Sequence, residues 1–382
     1  MTIAASSTKS AGPKTRKSAS TKAKASSSAA QLLVAGLDLG TNSTCVLAAS
    51  AGRTKPEFDD VLPTLCGYVK EGIVTGVLPD DREVFFGEEA LAHRLHLRLV
   101  QPLEDGIVDD VSAGRDFCQH LRTRIDPESE SEVRAVIGVP ANADTDARRK
   151  VAEVATGSFE AILLIPEPFL AALGVREEQK LGKGNYIDPV NNSLFIDIGA
   201  GTTDLCLIQG YYPTQNDQIS VPFAGDTVDG MLSESIFKSF PDTHLSMLKI
   251  REIKEQHSYC GALDGPKHVK VIVGGKPRQL EVSEHILDAC NALVETVHTK
   301  IIEIVSRISS DSVEETLQNI IVTGGGSQIQ NIDKVLEQML TEDGYESPKV
   351  RTVGSNYKEL VARGAFKAAQ QAKPNQWQHL VG

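Results

Sequence analysis

The sequence predicts an α/β protein made of two structurally related halves that face each other across a cleft. Two observations carry that prediction. The stretch IDIGAGTT (196–203) repeats the pattern of LDLGTNST (37–44): an apolar strand, an Asp, an apolar residue, a Gly and small polar positions, followed by another apolar strand. A fainter echo sets AVIGVPANA (135–143) against IIVTGGGSQ (320–328), each a strand entering a small-residue turn before a helix. Matching landmarks in matching order indicate an internal duplication. The length of 382 residues suits two domains of roughly 150–200 residues each.

The elements follow in chain order. LLVAGLDLG, TCVLAAS and a segment near EVFFG read as the strands of an opening β-meander. EEALAHRLHLRLV (88–100) has helical spacing and should end before QPLEDG. RDFCQHLRTRI is helical, and VRAVIGVP is a buried strand stopped by Pro140. TDARRKVAEVATG is an amphipathic helix ending near Gly157. EAILLIPEPFLAALG gives a short strand, a Pro-bounded turn and a helix from about Glu167, and KLGKGNYIDPVNN is a loop between the halves.

Composition narrows the function. With 41% hydrophobic and 24% charged residues the chain is that of a soluble globular protein, and no apolar run approaches the roughly 20 residues of a membrane span. Residues 1–30 carry Lys9, Lys14, Arg16, Lys17, Lys22 and Lys24 and no acid; removing those six charges from the net of −12 leaves −18 on the body. An acidic body lacks the clustered Lys and Arg that nucleic-acid phosphates require. The Ser/Lys/Ala-rich segment 1–30 has almost nothing to bury and is expected to be disordered, either a solubilising extension or an arm that docks on an acidic surface or an anionic membrane. It lacks the large apolar residues of a membrane-binding amphipathic helix. The first residues have no secretory apolar core, and six scattered cysteines without CxxC suit free thiols in a reducing compartment, so a cytoplasmic location is expected.

DLGTNST and DIGAGTTD have the parts of a phosphate-binding hairpin. Gly allows close backbone approach, and Thr or Ser hydroxyls and backbone N–H groups can face phosphate oxygens. Neither is a Walker loop, and Asp204 stands where a GxGxxG would need its last Gly. Either hairpin alone could be an ordinary Gly/Asn turn; a facing pair is hard to explain that way. Asp38 and Asp197, one per half at strand ends, suit a Mg²⁺ ion, which takes one or two carboxylates together with substrate phosphates and waters. Asp204 either joins them or anchors its own hairpin. Glu167, in PEP (166–168), either complements a helix dipole or positions a water for attack on a γ-phosphate. TGGGSQI (323–329) lets a planar or phosphate-bearing ligand lie against the backbone, or is simply a tight turn. Lys254 and Glu255 in REIKEQHSYCG reach an adenine or ribose, or belong to a solvated ion-paired face. The nine histidines show no HxxxH spacing, and no GxSxG elbow is present.

Taken together these stretches resemble the actin, Hsp70 and sugar-kinase ATPase superfamily: LDLGTNST its first phosphate motif, FIDIGAGTTD its second, AVIGVPANA the first connecting motif, IIVTGGGSQI the adenosine motif and ELVARGAFKAA (359–369) the second connecting motif. Five motifs in order cover residues 31 to about 370. AGDTVDGML and IKEQHSYCG point to the bacterial actins. QPLEDGIV, IPEPFLAALG, IKEQHSY and the ending NQWQHL make the chain most similar to those associated with magnetosomes.

The resemblance implies duplicated actin-like (ribonuclease H-like) ATPase domains around a nucleotide cleft, each with a smaller inserted subdomain. Domain I would span 31–175 with 355–382 (small subdomain about 56–100), and domain II 190–354 (small subdomain about 226–282). It implies ATP or ADP with Mg²⁺ in the cleft, and subunits that stack head to tail into a homopolymeric filament, since heterologous contacts that do not close a ring must do so. In the magnetosome-associated members such filaments align and position magnetosomes, with magnetosome-associated proteins as further partners. By the same resemblance Glu167 and Asp197 are catalytic, and Asp38 and Asp197 lie on the metal side. Gly40, Thr41, Asn42 and Ser43 hold one phosphate group, with Gly199, Gly201, Thr202 and Thr203 opposite. Lys254, Glu255, Gly324, Gly325, Gly326 and Ser327 surround the nucleoside. A cell-shape actin of the MreB type or a plasmid-segregating actin shares the motifs. An Hsp70-like chaperone would need a peptide-binding domain, and a sugar kinase a second substrate pocket, that the sequence does not display.

Overall fold

In the computed structural model, residues 31–380 are described apart from 105, 185, 263 and 264; the basic segment 1–30 lies outside the described residues. Two central sheets repeat one topology. In the first, the strand Leu32–Leu39 forms a hairpin with Ser43–Ser50, which pairs on with Phe58–Pro63. On its other side Leu32–Leu39 runs parallel to Glu132–Val139 and then Ala161–Pro166. In the second, Ser193–Ile198 forms a hairpin with Thr203–Ile208, which pairs on with Gln218–Val221, and runs parallel to Ile320–Thr323 and then Val350–Thr352. The strand order is the same in both halves, so the duplication read from the two hairpins extends across five strands. The first sheet adds the short edge strand Gln378–His379.

The third strand of the opening meander is Phe58–Pro63, not the EVFFG segment; Val84–Phe86 instead joins Cys66–Val69 and Leu97–Val100 in a separate three-stranded sheet. That sheet also corrects the long helix expected over 88–100. The helix covers only Gly87–Ala92, and Leu97–Val100 is extended. Leu97 is buried while Leu99 is 38% exposed, and pairing with Cys66–Val69 outweighs helix propensity in so short a segment. No turn separates Ala161–Pro166 from the helix Glu167–Val175: Pro166 is itself the helix N-cap, and Pro168 occupies the first turn, where its missing N–H costs nothing.

Among the described residues, a small core of Leu65, Leu78, Phe85, Ala90 and Leu97 fills the separate three-stranded sheet, and three larger cores layer the rest. One lies under the first sheet with the helices Val111–Ile125 and Thr145–Ala155, and another under the second with Gly225–Ser239, Ser283–Val305 and Ile332–Glu342. The third lies between the sheets. It mixes Val34, Leu47 and Val136 of the first with Phe195, Ile208 and Ile321 of the second, through the helices Glu167–Val175 and Leu360–Gln371. Glycines set how closely these parts approach. A Cβ at Gly364 would run into the Leu170 carbonyl, and one at Gly36 into the backbone of the helix Leu360–Gln371. Among the described residues no helix is long and apolar enough to cross a membrane.

Candidate functional site

Each half brings a four-residue hairpin loop to the cleft between the sheets. The first, Gly40–Ser43, is closed by the Leu39–Thr44 pair, and the second, Gly199–Thr202, by Ile198–Thr203. The register places Asp38 opposite Cys45 and Asp197 opposite Asp204. Directly paired residues share a sheet face, so equivalent positions carry a thiol in one half and a carboxylate in the other.

Both loops are held from behind by their carbonyls. The Thr64 hydroxyl donates to the Gly40 carbonyl (2.6 Å) and the Thr64 N–H to the Asn42 carbonyl (3.1 Å). In the second half the N–H groups of Gly225 and Asp226 donate to the carbonyls of Gly199 (3.1 Å) and Ala200 (2.8 Å) at the start of the helix Gly225–Ser239. The Thr41 hydroxyl accepts from the Gly106 N–H at 2.9 Å. A hydroxyl that accepts from the protein still has its own proton to give, so Thr41 is set to donate. The Thr202 hydroxyl lies 2.9 Å from the Asp204 Oδ2. A cavity of about 400 Å³ opens beside the first loop, lined in part by Asn42, Thr64, Leu65 and Leu91.

Four carboxyls converge at the cleft floor and disturb one another. Burial, then the charge of Asp197, pushes Asp38 up to about 7. Burial, then Asp204, pushes Asp197 to about 7. Glu167 is raised well above the ordinary carboxylate range by burial and then by Asp38, Asp197 and Asp204. Every influence on these three acts upward, which is the condition a divalent cation relieves. Among the described residues no three side chains are arranged to hold a metal ion by themselves. The donor set therefore fits a hard cation that takes one or two carboxylates and completes its shell with ligand oxygens and water.

The glycine cluster closes the second half's side of the cleft. Thr323 pairs in parallel with Asp197, and Gly324 follows at φ 75°, where a Cβ would strike the Asp197 Oδ1. Gly326 is pressed on the Ile198 side chain, whereas Gly325 has open space before it.

The expected residues do not all turn the same way. The Thr203 side chain is fully buried and donates to the Phe223 carbonyl at 2.7 Å, and Ser327, 5% exposed, donates to the Gly324 carbonyl at 2.7 Å. Their hydroxyls are held by the fold, so what these two residues can offer a ligand is their backbone. The Lys254 ammonium is committed to Asp229 (2.9 Å) and the Gly225 carbonyl (2.8 Å), while Glu255 is exposed at the rim. Sequence reasoning missed Tyr357. Burial, then Glu255, then Asp197 raise its hydroxyl. It lies two residues before the connecting motif that begins at Glu359, and no local pattern marks it.

Two duplicated halves, each presenting a Gly-bearing hairpin and a strand-end Asp to one cleft, define an actin-like fold. Residues 87–375 match the family model described as MreB/Mbl protein, and the chain belongs to that family. It is 30% identical to the actin-like protein MamK of Magnetospirillum gryphiswaldense over 90% of this chain and 91% of the relative. Among solved structures it resembles a MamK double helical filament at TM-score 0.76 and 28% identity, covering 90% of this chain and all of that one. A non-polymerising MamK mutant bound to AMPPNP matches at TM-score 0.73 and 28% identity, with the same coverage.

Proposed function

We propose that the protein is a filament-forming bacterial actin that binds ATP with Mg²⁺ in the cleft, hydrolyses it to ADP and phosphate to drive filament turnover, and aligns and positions magnetosomes in the cytoplasm. The observation that carries the reading is the convergence of Asp38, Glu167 and Asp197 between two hairpins of matching register. Similarity to MamK over nine-tenths of the chain supports the filament and the magnetosome role. Copies of the same chain and magnetosome-associated proteins are the partners this reading implies. The proposed division is domain I at 31–175 with 355–382 and domain II at 190–354, the cleft lying between them.

In this reading Gly40–Ser43 and Gly199–Thr202 grip the phosphates from opposite sides through backbone N–H groups, with the Thr41 and Ser43 hydroxyls on the first side, while the Thr202 hydroxyl donates to Asp204. Asp38 and Asp197 would hold the magnesium ion, which when bound supplies positive charge against the phosphate oxygens. Burial is the largest cause that raises Glu167 and the charges of Asp38, Asp197 and Asp204 come after it, so a cation on the two aspartates would relieve only the later part; Glu167 would orient and polarise the attacking water. Gly325, Glu255 and Tyr357 surround the nucleoside.

The test is pelleting with parallel phosphate release, for wild type and Glu167→Ala, with ATP, ADP and no nucleotide. ATP-dependent pellets that persist in the variant, with slow phosphate release, are expected. Phosphate release without pelleting across a wide protein concentration range would favour a monomeric kinase or chaperone-like ATPase. Unchanged release in Glu167→Ala would remove that residue from the mechanism.

A further inference from the structure

A side-chain hydrogen bond crosses the cleft beside the first hairpin. Gln218, on the strand Gln218–Val221 of the second sheet, donates its Nε2 to the Ala141 carbonyl at 2.9 Å. The same amide donates to the Thr214 carbonyl at 2.9 Å, so both of its N–H groups are used. Its backbone is anchored in the second half. Cys206 pairs with Gln218 in the ladder, and the Arg307 guanidinium donates to the carbonyls of Asn216 and Gln218 at 3.2 Å each.

Ala141 belongs to the first half and to its machinery. It lies in the turn after Glu132–Val139, closed by the Ala143 N–H donating to the Pro140 carbonyl at 2.9 Å. The ring of Pro140 packs on Gly106, where φ is 72° and a Cβ would stand 2.9 Å from the ring Cγ. Gly106 in turn donates its N–H to the Thr41 hydroxyl. Upstream of the turn, Gly138 carries Glu167 against it. A single amide of the second half thus holds the loop that braces Thr41 and adjoins the seat of Glu167.

We propose that Gln218 is a positioning residue for the reaction: by holding the Pro140–Ala143 turn from across the cleft, it fixes the Thr41 hydroxyl and Glu167 of the first half in register with the second hairpin. The proposal rests on the nucleotide reading of the cleft. Gln218 touches no reacting atom and acts through Ala141, so its loss should slow turnover more than it weakens binding.

The test compares full-length wild type with Gln218→Met, which keeps the length and removes both donors, and Gln218→Lys, which restores a donor. Three quantities are read: kcat and KM for ATP in phosphate release, Tm, and amide hydrogen exchange at Gly106 and Ala143. Gln218→Met should lower kcat about tenfold, the rate equivalent of one lost hydrogen bond at the upper end of its usual worth. Its KM should stay within about twofold, the pattern of an interaction that matters chiefly in the transition state. Exchange at both amides should rise, and Gln218→Lys should recover most of kcat and of the protection. Unchanged exchange in Gln218→Met overturns the tether whatever the activity. Faster exchange with wild-type kcat overturns the positioning role. An equal loss of kcat and Tm in both variants shows a purely structural residue and overturns it too. A wild type that binds and releases no nucleotide product overturns the nucleotide reading itself, and the exchange measurement still decides whether the tether exists.

Discussion

The Glu167 side chain lies against Gly138: a Cβ at 138 would stand 3.0 Å from the Glu167 Cγ and 2.9 Å from the Val361 Cγ1. The register produces this. Ile165 pairs with Gly138 and Pro166 with Val139, so the chain enters the helix Glu167–Val175 directly over the missing side chain. Glycine in a strand interior weakens it and often marks close approach of another group. Here the group that approaches is the carboxylate-bearing side chain at the cleft floor.

Gly138→Ala should therefore act on turnover before it acts on the fold. Both neighbours are side chains that can shift, so overpacking should cost about 1–3 kcal/mol of stability. A displacement of Glu167 by a fraction of an ångström should slow phosphate release roughly tenfold or more, since misplacement by about 1 Å has been worth about a hundredfold in well-positioned sites. Phosphate release at saturating ATP, set beside ATP affinity, measures it. A wild-type rate would show that this contact does not set the position of the carboxylate.

The carboxyl cluster predicts how the ligand-free protein responds to pH. Asp38 and Asp197 have folded-state values of about 7 against 3.8 in the free side chain. Between those limits the folded state retains protons that the unfolded chain has lost, so stability is greatest at low pH and falls as pH rises through about 7. The fall should be on the order of 2 kcal/mol for each carboxyl, allowing for the solvent that still reaches them. Asp197→Asn should raise the Tm of ligand-free protein at pH 8, and by less than half as much at pH 5. A Tm that rises from pH 5 to pH 8 in the wild type would mean that the cluster is compensated.

Much of this was legible in the chain. The two Asp-apolar-Gly hairpins gave the duplication because their register and strand order are local consequences of alternating burial, repeated in both halves. Glu167 was legible from its place between two prolines at a strand-to-helix junction. What was hidden depends on partners distant in sequence. The direction of the Thr203 hydroxyl is set by Phe223, twenty residues on, and Lys254 is claimed by Asp229 across a helix pair. Leu97–Val100 is a strand only because Cys66–Val69 is available to pair with it.

Gly324 and Gly325 separate folding from binding within one motif. At Gly324 φ is 75° and a Cβ meets Asp197, so Gly324→Ala combines left-handed strain with a backbone-level clash and should cost about 3 kcal/mol or more. At Gly325 there is open space, so Gly325→Ala should leave the unfolding free energy within about 1 kcal/mol of wild type. If the nucleoside lies on this backbone, the same methyl should weaken ATP binding about tenfold, because only Gly allows such an approach. Titration with a fluorescent ATP analogue reads the difference. Undiminished affinity in Gly325→Ala would move the nucleoside elsewhere.

The commitment of Lys254 to Asp229 predicts a stability phenotype in place of a binding one. Asp229 is 1% exposed; its other ion partner is Arg251, at 3.3 Å with a half-exposed side chain. Lys254→Met would leave a buried carboxylate with one weak partner, at a cost of about 2–4 kcal/mol. Replacing both members, Lys254→Met with Asp229→Leu, removes the stranded charge and should recover more than half of that loss, a coupling that only the double variant exposes. ATP affinity per folded molecule should be unchanged in all three variants. A Lys254→Met protein with wild-type Tm and sharply weaker ATP binding would reverse the assignment. It would show that the ammonium leaves Asp229 to meet the nucleotide.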